Sequence, residues 1–148
     1  VEELDWSVGR ILETLKKYKL DENTFVVFFS DNGPVINNGG SAGGYKGAKG
    51  SPWEGGHRVP GICYMPGTIK EGTTCEQTVM SFDLFPTMLD MADIHYDDSK
   101  KKLDGTSLVP LFKGENLAPR LLFWGNGNKT ISVRDGKWKL ALRCICLI

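Results

Sequence analysis

Residues 24–34, Thr-Phe-Val-Val-Phe-Phe-Ser-Asp-Asn-Gly-Pro, combine a short apolar run with five turn-forming residues. The run from Phe25 to Phe29 consists of β-branched and aromatic residues without polar alternation. This pattern is typical of a strand that is buried on both faces of a mostly parallel sheet. Because ligands bind beyond the carboxyl ends of strands in such sheets, the sequence predicts an α/β fold with a site just after Phe29.

Asp31 and Asn32 place two oxygen-bearing side chains directly after this predicted strand. A carboxylate and an amide oxygen are hard donors of the kind that Ca²⁺ or Mg²⁺ prefers. Each residue from Ser30 to Pro34 is also a common turn former. By itself, the segment is therefore compatible with a metal site and with a simple turn.

A long glycine-rich loop follows, with nine glycines between Gly33 and Gly56. Loops of this length are uncommon in a compact domain unless they are functional or disordered. Glycine backbone can approach an anionic ligand closely, and a lysine side chain adds a point charge. A pair of metal ligands followed by such a loop indicates a site for an oxyanion ester. We interpret Lys46 as an ordinary solvated charge of the loop.

Five segments, taken in order along the chain, resemble the type I sulfatases, which are arylsulfatase-like members of the alkaline phosphatase-like superfamily. These segments are Phe29-Ser-Asp-Asn-Gly-Pro34, Lys49-Gly-Ser-Pro-Trp-Glu-Gly-Gly-His-Arg-Val-Pro60, Tyr64-Met-Pro-Gly67, Ser81-Phe-Asp-Leu-Phe-Pro-Thr-Met-Leu89 and Asp104-Gly-Thr-Ser-Leu108. The resemblance covers nearly the whole chain. It implies part of an alkaline phosphatase-like sheet with flanking helices and a small carboxyl-terminal antiparallel sheet.

The resemblance implies roles for three residues. Asp31 and Asn32 match two ligands of a single Ca²⁺ ion. Lys49 matches a lysine that contacts the sulfate group of the substrate, which makes it a substrate-binding and catalytic candidate. Glu54 and Arg58 match family positions as well, but an ion pair that braces the loop explains them equally well.

The chain lacks the nucleophile that the resemblance implies. In the family, this nucleophile is a formylglycine made from the first residue of Cys/Ser-x-Pro-x-Arg, and no cysteine or serine of this chain begins that pattern. The amino-terminal Asp-Asp metal pair of the family is missing too. The chain is therefore similar to the carboxyl-terminal portion of a sulfatase. We expect an incomplete Ca²⁺ ligand set and no turnover by this fragment alone.

Two other interpretations remain open beside a sulfuric ester hydrolase. One is a phosphate or phosphonate monoester hydrolase of the same superfamily, although many of these use zinc, which prefers imidazole where Asn32 stands. The other is a non-catalytic module that binds a partner or a glycan through Trp53 and Trp124. Against this module, tryptophans are usually buried or packed. The oxygen donors of Asp31 and Asn32 favour the sulfatase.

The composition and charge of the chain limit the classes of partner that we expect it to bind. The chain has 18 basic and 18 acidic residues and a net charge of zero, so no overall field favours nucleic acid. No apolar run reaches the length that spans a membrane. The resemblance implies a sulfated small molecule or glycan as the substrate, and a periplasmic, secreted or lysosomal location.

Hydrophobic periodicity predicts the remaining elements. We expect an amphipathic helix over residues 1–20, a strand over 61–65, a helix that begins near Asp83 with this residue as its cap, and a short helical piece over 108–112. Strands over 121–124, 130–134 and 137–142, with turns at 125–128 and at Asp135-Gly136, predict an antiparallel sheet. The domains are expected to be a partial α/β core over 1–118 and the start of an antiparallel subdomain over 119–148. Uncovered strand edges of the partial core are expected to favour oligomers.

Overall fold

The computed structural model of the chain describes residues 1–99, 101–126 and 130–143. The predicted turn at 125–128 falls partly outside these residues, and Cys144 and Cys146 fall wholly outside them. Two compact units are present, Val1–Phe28 with Ile62–Leu117, and Phe29–Gly61 with the described part of Ala118–Ile148. The division into domains 1–118 and 119–148 stays a prediction.

The first helix, α1, spans Glu2–Lys17 and confirms the predicted amphipathic helix. Acidic residues occupy its first turn and Lys16 and Lys17 its last, as the helix dipole favours. Val8, Leu12 and Leu15 form its half-buried stripe at helical spacing. No residue of α1 is fully buried, so this helix is only partly covered by the described residues.

Strands β1, Val26–Phe29, and β2, Gly61–Tyr64, are hydrogen-bonded neighbours in a two-stranded sheet. Both strands lie where the sequence predicts them. The prediction that β1 is buried on both faces is wrong, because Phe28 and Phe29 are 40% and 41% exposed. In the described part of the chain, β1 has only one neighbouring strand, and this leaves much of its aromatic surface uncovered.

A buried polar cluster connects helices α3, Leu84–Met91, and α4, Val109–Phe112. The Asp83 carboxylate, which is fully buried, accepts the backbone N–H groups of Met80 at 2.7 Å and Thr106 at 3.0 Å. The Thr87 hydroxyl donates to the Asp83 carbonyl at 2.6 Å and accepts the Leu108 N–H at 2.9 Å. The Asp83 side chain makes no cap hydrogen bond to α3, so the predicted helix cap instead bonds to more distant backbone. We call these five residues the Asp83 cluster.

Strands β3, Leu121–Asn126, β4, Thr130–Asp135, and β5, Trp138–Arg143, form a three-stranded antiparallel sheet in that order. Asp135 pairs with Trp138, so Gly136 and Lys137 form the tight turn, and Gly136 takes the positive φ of 51° that glycine tolerates. The register also places Arg134 directly opposite Lys139. The predicted carboxyl-terminal antiparallel sheet is confirmed.

The small helix α2, Glu54–His57, lies in the same unit as this antiparallel sheet. Its two central residues, Gly55 and Gly56, are buried. Among the described residues, no helix is long and apolar enough to cross a membrane.

Candidate functional site

The turn after β1 brings the two predicted metal ligands together. The Asn32 side-chain amide donates a hydrogen bond to the Asp31 carboxylate at 2.9 Å, and the Ser30 hydroxyl donates to the Asn32 carbonyl at 2.9 Å. Asp31 is exposed and Asn32 is half-buried. The turn therefore presents a carboxylate and an amide side by side at the carboxyl end of a strand.

Close backbone packing fixes this turn against α2. The Gly33 N–H donates to the Gly56 carbonyl at 2.9 Å. A Cβ atom on Gly33 would lie 1.9 Å from the carbonyl oxygen of Gly55, much closer than any real contact. Only glycine fits at residue 33, so the position of the Asp31–Asn32 turn depends on α2.

Lys49 is anchored to the residue that ends the same turn. Its backbone N–H donates to the Pro34 carbonyl at 3.0 Å, and its side chain is exposed. A shallow cavity of about 290 Å³ lies beside it and is lined by Pro34, Val35, Ile36, Asn37, Ala48 and Lys49. The three residues that the sequence singles out thus belong to one locally braced loop.

The chemistry of Asp31 and Asn32 fits part of a Ca²⁺ ligand set. Both side chains carry oxygen donors, which this ion prefers. In the structure the Asn32 amide presents its nitrogen to Asp31, so ligation by the amide oxygen requires a rotation of this group. Across residues 1–99, 101–126 and 130–143, no group of three or more His, Cys, Asp or Glu side chains is arranged to hold a metal. The assignment of Asp31 and Asn32 as Ca²⁺ ligands therefore stays a prediction.

Glu54, the first residue of α2, makes a network of ion pairs with the antiparallel sheet. Its carboxylate lies 2.6 Å from the Arg134 guanidinium and 2.8 Å from the Lys139 ammonium. The predicted pair with Arg58 is also present, at 3.6 Å. The side chains of Glu54, Arg134 and Lys139 are 24%, 14% and 11% exposed, so these contacts are largely shielded from water.

His57 lies beside this network. Its ring stacks on the Trp124 ring with centroids 4.6 Å apart, and its Nε2 atom contacts the Lys139 ammonium. Glu54 is 3.8 Å from the same ring nitrogen. We call Glu54, His57, Trp124, Arg134 and Lys139 the Glu54 cluster. His57 and Trp124 are packing residues within it.

Burial and neighbouring charges shift three pKa values in this cluster. Burial alone raises the pKa of Glu54, but hydrogen bonds and charges from Lys139 and Arg134 outweigh it and lower that pKa below its usual 4.5. Burial and the Lys139 charge lower the pKa of His57, although Glu54 opposes them. Burial also lowers the pKa of Lys139, partly offset by its hydrogen bond to Glu54. The cluster thus favours a charged carboxylate next to a neutral imidazole.

Arg134 and Lys139 were not predicted as site residues, yet the sequence contains a signal for them. A two-residue turn after Asp135 makes these two cations direct cross-strand neighbours. Like charges in such a pair destabilise a sheet unless an anion lies between them. The pattern Arg-Asp-Gly-Lys-Trp-Lys at residues 134–139 therefore indicates a carboxylate from elsewhere in the chain, and the structure identifies it as Glu54.

The comparisons with known proteins identify the family. The family model described as Sulfatase matches residues 1–94, which is more than half of the chain. This chain belongs to the sulfatase family. It is 38% identical over 143 residues to the N-acetylgalactosamine-6-sulfatase of Canis lupus familiaris, and the match covers 94% of this chain and 27% of that relative. This sulfatase chain thus spans about a quarter of that relative.

Solved structures agree with the family. The crystal structure of Ps i-CgsB in complex with k-i-k-neocarrahexaose superposes with a TM-score of 0.81 at 33% identity, over 93% of this chain and 31% of that one. The structure of BT4656 in complex with its substrate D-glucosamine-2-N,6-O-disulfate gives a TM-score of 0.69 at 25% identity, over 93% and 28% of the two chains. The resemblance to the carboxyl-terminal portion of a sulfatase and the α/β class are both confirmed.

Proposed function

We propose that this chain is the part of a sulfuric ester hydrolase that supplies Lys49, Asp31 and Asn32 to the active site. One observation carries the proposal: Lys49 is anchored to Pro34, and the Asp31–Asn32 turn is anchored to α2, within a single loop at the end of β1. The family match favours this function over a phosphate or phosphonate ester hydrolase.

The residues of this chain would act by electrostatics and orientation. The exposed Lys49 ammonium is suited to bind a sulfate group and to stabilise the negative charge that develops as the ester bond breaks. Asp31 and Asn32 would hold one Ca²⁺ ion, which supplies positive charge against the sulfate oxygens when bound. The formylglycine nucleophile of the family would come from residues outside this chain.

Sulfated glycans are the substrate class that the comparisons support best. Ps i-CgsB and BT4656 were solved with a carrageenan-type hexaose and a disulfated glucosamine. We extend this class to the present chain, together with the periplasmic, secreted or lysosomal location that the family resemblance implies. The exposed Phe28, Phe29 and Ile62 side chains of the β1–β2 sheet support self-association through this sheet, which light scattering on the purified chain would test.

Two variants test the proposed active-site roles. In an active sulfatase that contains this chain, Lys49→Ala is expected to lower kcat/KM for an aryl sulfate by about 100-fold or more, since it removes a charge used in the transition state. Lys113→Ala, an exposed lysine of the other unit, is the matched control. Equal rates for the two variants would exclude Lys49 from the active site.

Calcium binding tests the metal ligands without any need for turnover. Calorimetry on the 148-residue chain should detect weak Ca²⁺ binding that Asp31→Ala abolishes and that Asp5→Ala, in the first turn of α1, leaves unchanged. Binding that survives Asp31→Ala would assign the ion to other residues.

A further inference from the structure

A second cavity, of about 460 Å³, lies between the glycine-rich loop and the β4–β5 hairpin, within one compact unit. Lys46 and Trp53 line it from the loop, Lys137 and Trp138 line it from the hairpin, and Glu54, Arg134 and Lys139 are also part of its lining. It shares no lining residue with the cavity beside Lys49. We propose that this cavity binds an acidic saccharide, meaning a sugar unit that carries sulfate or carboxylate groups.

The charges that line the cavity favour the binding of an anion. Four cations and one carboxylate line it, although the whole chain has no net charge. Arg134 and Lys139 are both shielded from water and share the single Glu54 carboxylate, so the pair of cations exceeds its counter-charge by one. Lys46 and Lys137 are exposed and have no carboxylate partner among the described residues. A local excess of positive charge with low-dielectric walls concentrates anions.

The aromatic rings of the cavity suit a sugar. The Lys46 ammonium lies 4.0 Å from the centroid of the Trp53 ring, and the Lys137 ammonium lies 5.4 Å from that of Trp138. Trp138 is 73% exposed and Trp53 is 39% exposed, which is unusual for side chains that gain so much from burial. Each lysine–tryptophan pair combines the apolar surface of an aromatic ring with a positive charge that lies over that ring. The C–H face and the acidic group of one sugar unit would use both features at once.

The size of the cavity and its carboxylate favour a saccharide over nucleic acid. Its volume falls within the roughly 300–1,000 Å³ of small-ligand sites. Glu54 provides acceptor oxygens that suit sugar hydroxyls. Binding of single-stranded nucleic acid needs a basic groove that follows the backbone over several nucleotides, whereas the four cations here line a single cavity of about 460 Å³.

This site goes beyond the proposed function, because it includes none of Lys49, Asp31 and Asn32. On a sulfated oligosaccharide, it would hold a unit other than the one being hydrolysed. On the isolated chain, it would bind an acidic oligosaccharide whether or not the chain contributes to a working enzyme.

Calorimetry on the 148-residue chain with three hexasaccharides tests the proposal. Chondroitin 6-sulfate carries sulfate and carboxylate, hyaluronan carries carboxylate alone, and chitohexaose is neutral. We expect at least one acidic probe to bind about 10-fold or more tightly than the neutral one. The ratio of the two acidic probes then distinguishes sulfate from carboxylate as the preferred group. Equal affinity for all three probes overturns the proposal.

Point variants locate the binding. Lys46→Ala and Lys137→Ala should each weaken binding of the preferred probe by about 3- to 10-fold, and the arginine variants at the same positions should restore it. Lys113→Ala is the matched control and should change nothing. Both target lysines are exposed, so the variants should keep the thermal melt of the parent chain. Unchanged affinity in both alanine variants overturns the proposal.

Two further outcomes separate this site from its alternatives. Lys49→Ala identifies the alternative site: if it weakens binding of the acidic probe while Lys46→Ala and Lys137→Ala do not, the saccharide occupies the cavity beside Lys49 and the second site is wrong. A dT12 oligonucleotide should bind more weakly than the acidic saccharide. If it binds more tightly and depends on Lys46 and Lys137, the cavity is a nucleic-acid site instead. Failure of the sulfatase proposal would appear in the turnover assay and not in these measurements.

Discussion

Asp83 and Glu54 are carboxylates that each connect chain segments distant in sequence, and each does so within its own compact unit. The interactions that they use differ. Asp83 is fully buried and accepts backbone N–H groups of Met80 and Thr106. Glu54 is 24% exposed and pairs with the side chains of Arg134 and Lys139, which are 80 or more residues further along the chain. The Asp83 carboxylate thus bonds to backbone groups, whereas the Glu54 carboxylate bonds to cationic side chains that line a cavity.

The difference separates a structural carboxylate from one that can also respond to a ligand. Backbone N–H groups are held in place by the chain, so the Asp83 carboxylate is bound to partners whose positions the fold sets. The Arg134 and Lys139 side chains are long, retain some exposed surface and line a cavity, so they can also bond to an anion that enters it. We therefore infer that the Asp83 cluster serves stability alone, and that the Glu54 cluster serves both stability and the neighbouring cavity.

The largest expected effect is that of Asp83→Ala. It leaves the partly buried N–H groups of Met80 and Thr106 without the Asp83 acceptor and empties a fully buried position, which should lower the free energy of unfolding by about 3–5 kcal/mol. Asp83→Asn keeps one acceptor oxygen and should cost about half as much. Urea unfolding followed by circular dichroism measures both. If Asp83→Ala lowered the free energy of unfolding by less than Glu54→Gln does, the Glu54 cluster would contribute more to stability than the Asp83 cluster.

Each cluster also lies next to a glycine whose backbone packs closely on other backbone atoms. Replacing either glycine should lower stability by a similar amount. A Cβ on Gly105 would lie 2.2 Å from the Phe82 carbonyl oxygen, and one on Gly55 would lie 2.3 Å from that of Gly47. Gly105→Ala and Gly55→Ala should each lower the free energy of unfolding by about 1–3 kcal/mol, because the backbone must shift. Gly9→Ala in α1 meets no atom within 4 Å and should stabilise the chain by about 0.5–1 kcal/mol. Thermal melts of the three variants check this order.

Glu54→Gln should have a moderate effect. It leaves two shielded cations facing each other across β4 and β5, which should cost about 1–2 kcal/mol, less than a fully buried pair because Glu54 is partly exposed. The matched control is Glu13→Gln, which breaks an exposed pair with Arg10 of similar length, 3.0 Å, and should cost less than about 0.5 kcal/mol. Equal losses in urea unfolding would show that the Glu54 cluster is an ordinary surface feature.

The smallest effect is a pH dependence of stability that His57 of the Glu54 cluster should produce. The pKa of His57 is lowered from 6.5, so below pH 6.5 the unfolded chain takes up a proton that the folded chain does not. The free energy of unfolding should therefore fall between pH 7 and pH 5, by less than about 1 kcal/mol, while Glu54, with its lowered pKa, stays charged. His57→Gln should flatten this slope in urea titrations. An unchanged slope in His57→Gln would assign the pH dependence to other groups.

Local sequence patterns predicted those elements that local interactions determine. Three local patterns predicted the positions of strands and a helix to within a few residues: the apolar run before Ser30, the apolar stripe of α1 and the Asp135-Gly136 turn. They succeeded because each pattern depends on residues that are neighbours along the chain. The burial of β1 was predicted wrongly, since burial depends on how many other strands are present. Asp83 was predicted as a helix cap, but its buried partners include Thr106, which is 23 residues away.

The sequence by itself determined the family, the α/β class and the adjacency of Asp31 and Asn32, because motifs and short-range periodicity are properties of consecutive residues. The roles of these residues and of Lys49 stay predictions. Only the tertiary structure decided that Glu54 pairs with Arg134 and Lys139, that His57 stacks on Trp124, and that two lysine–tryptophan pairs line one cavity. These contacts join residues that are far apart in the chain, and their geometry follows from the packing of α2 against the antiparallel sheet.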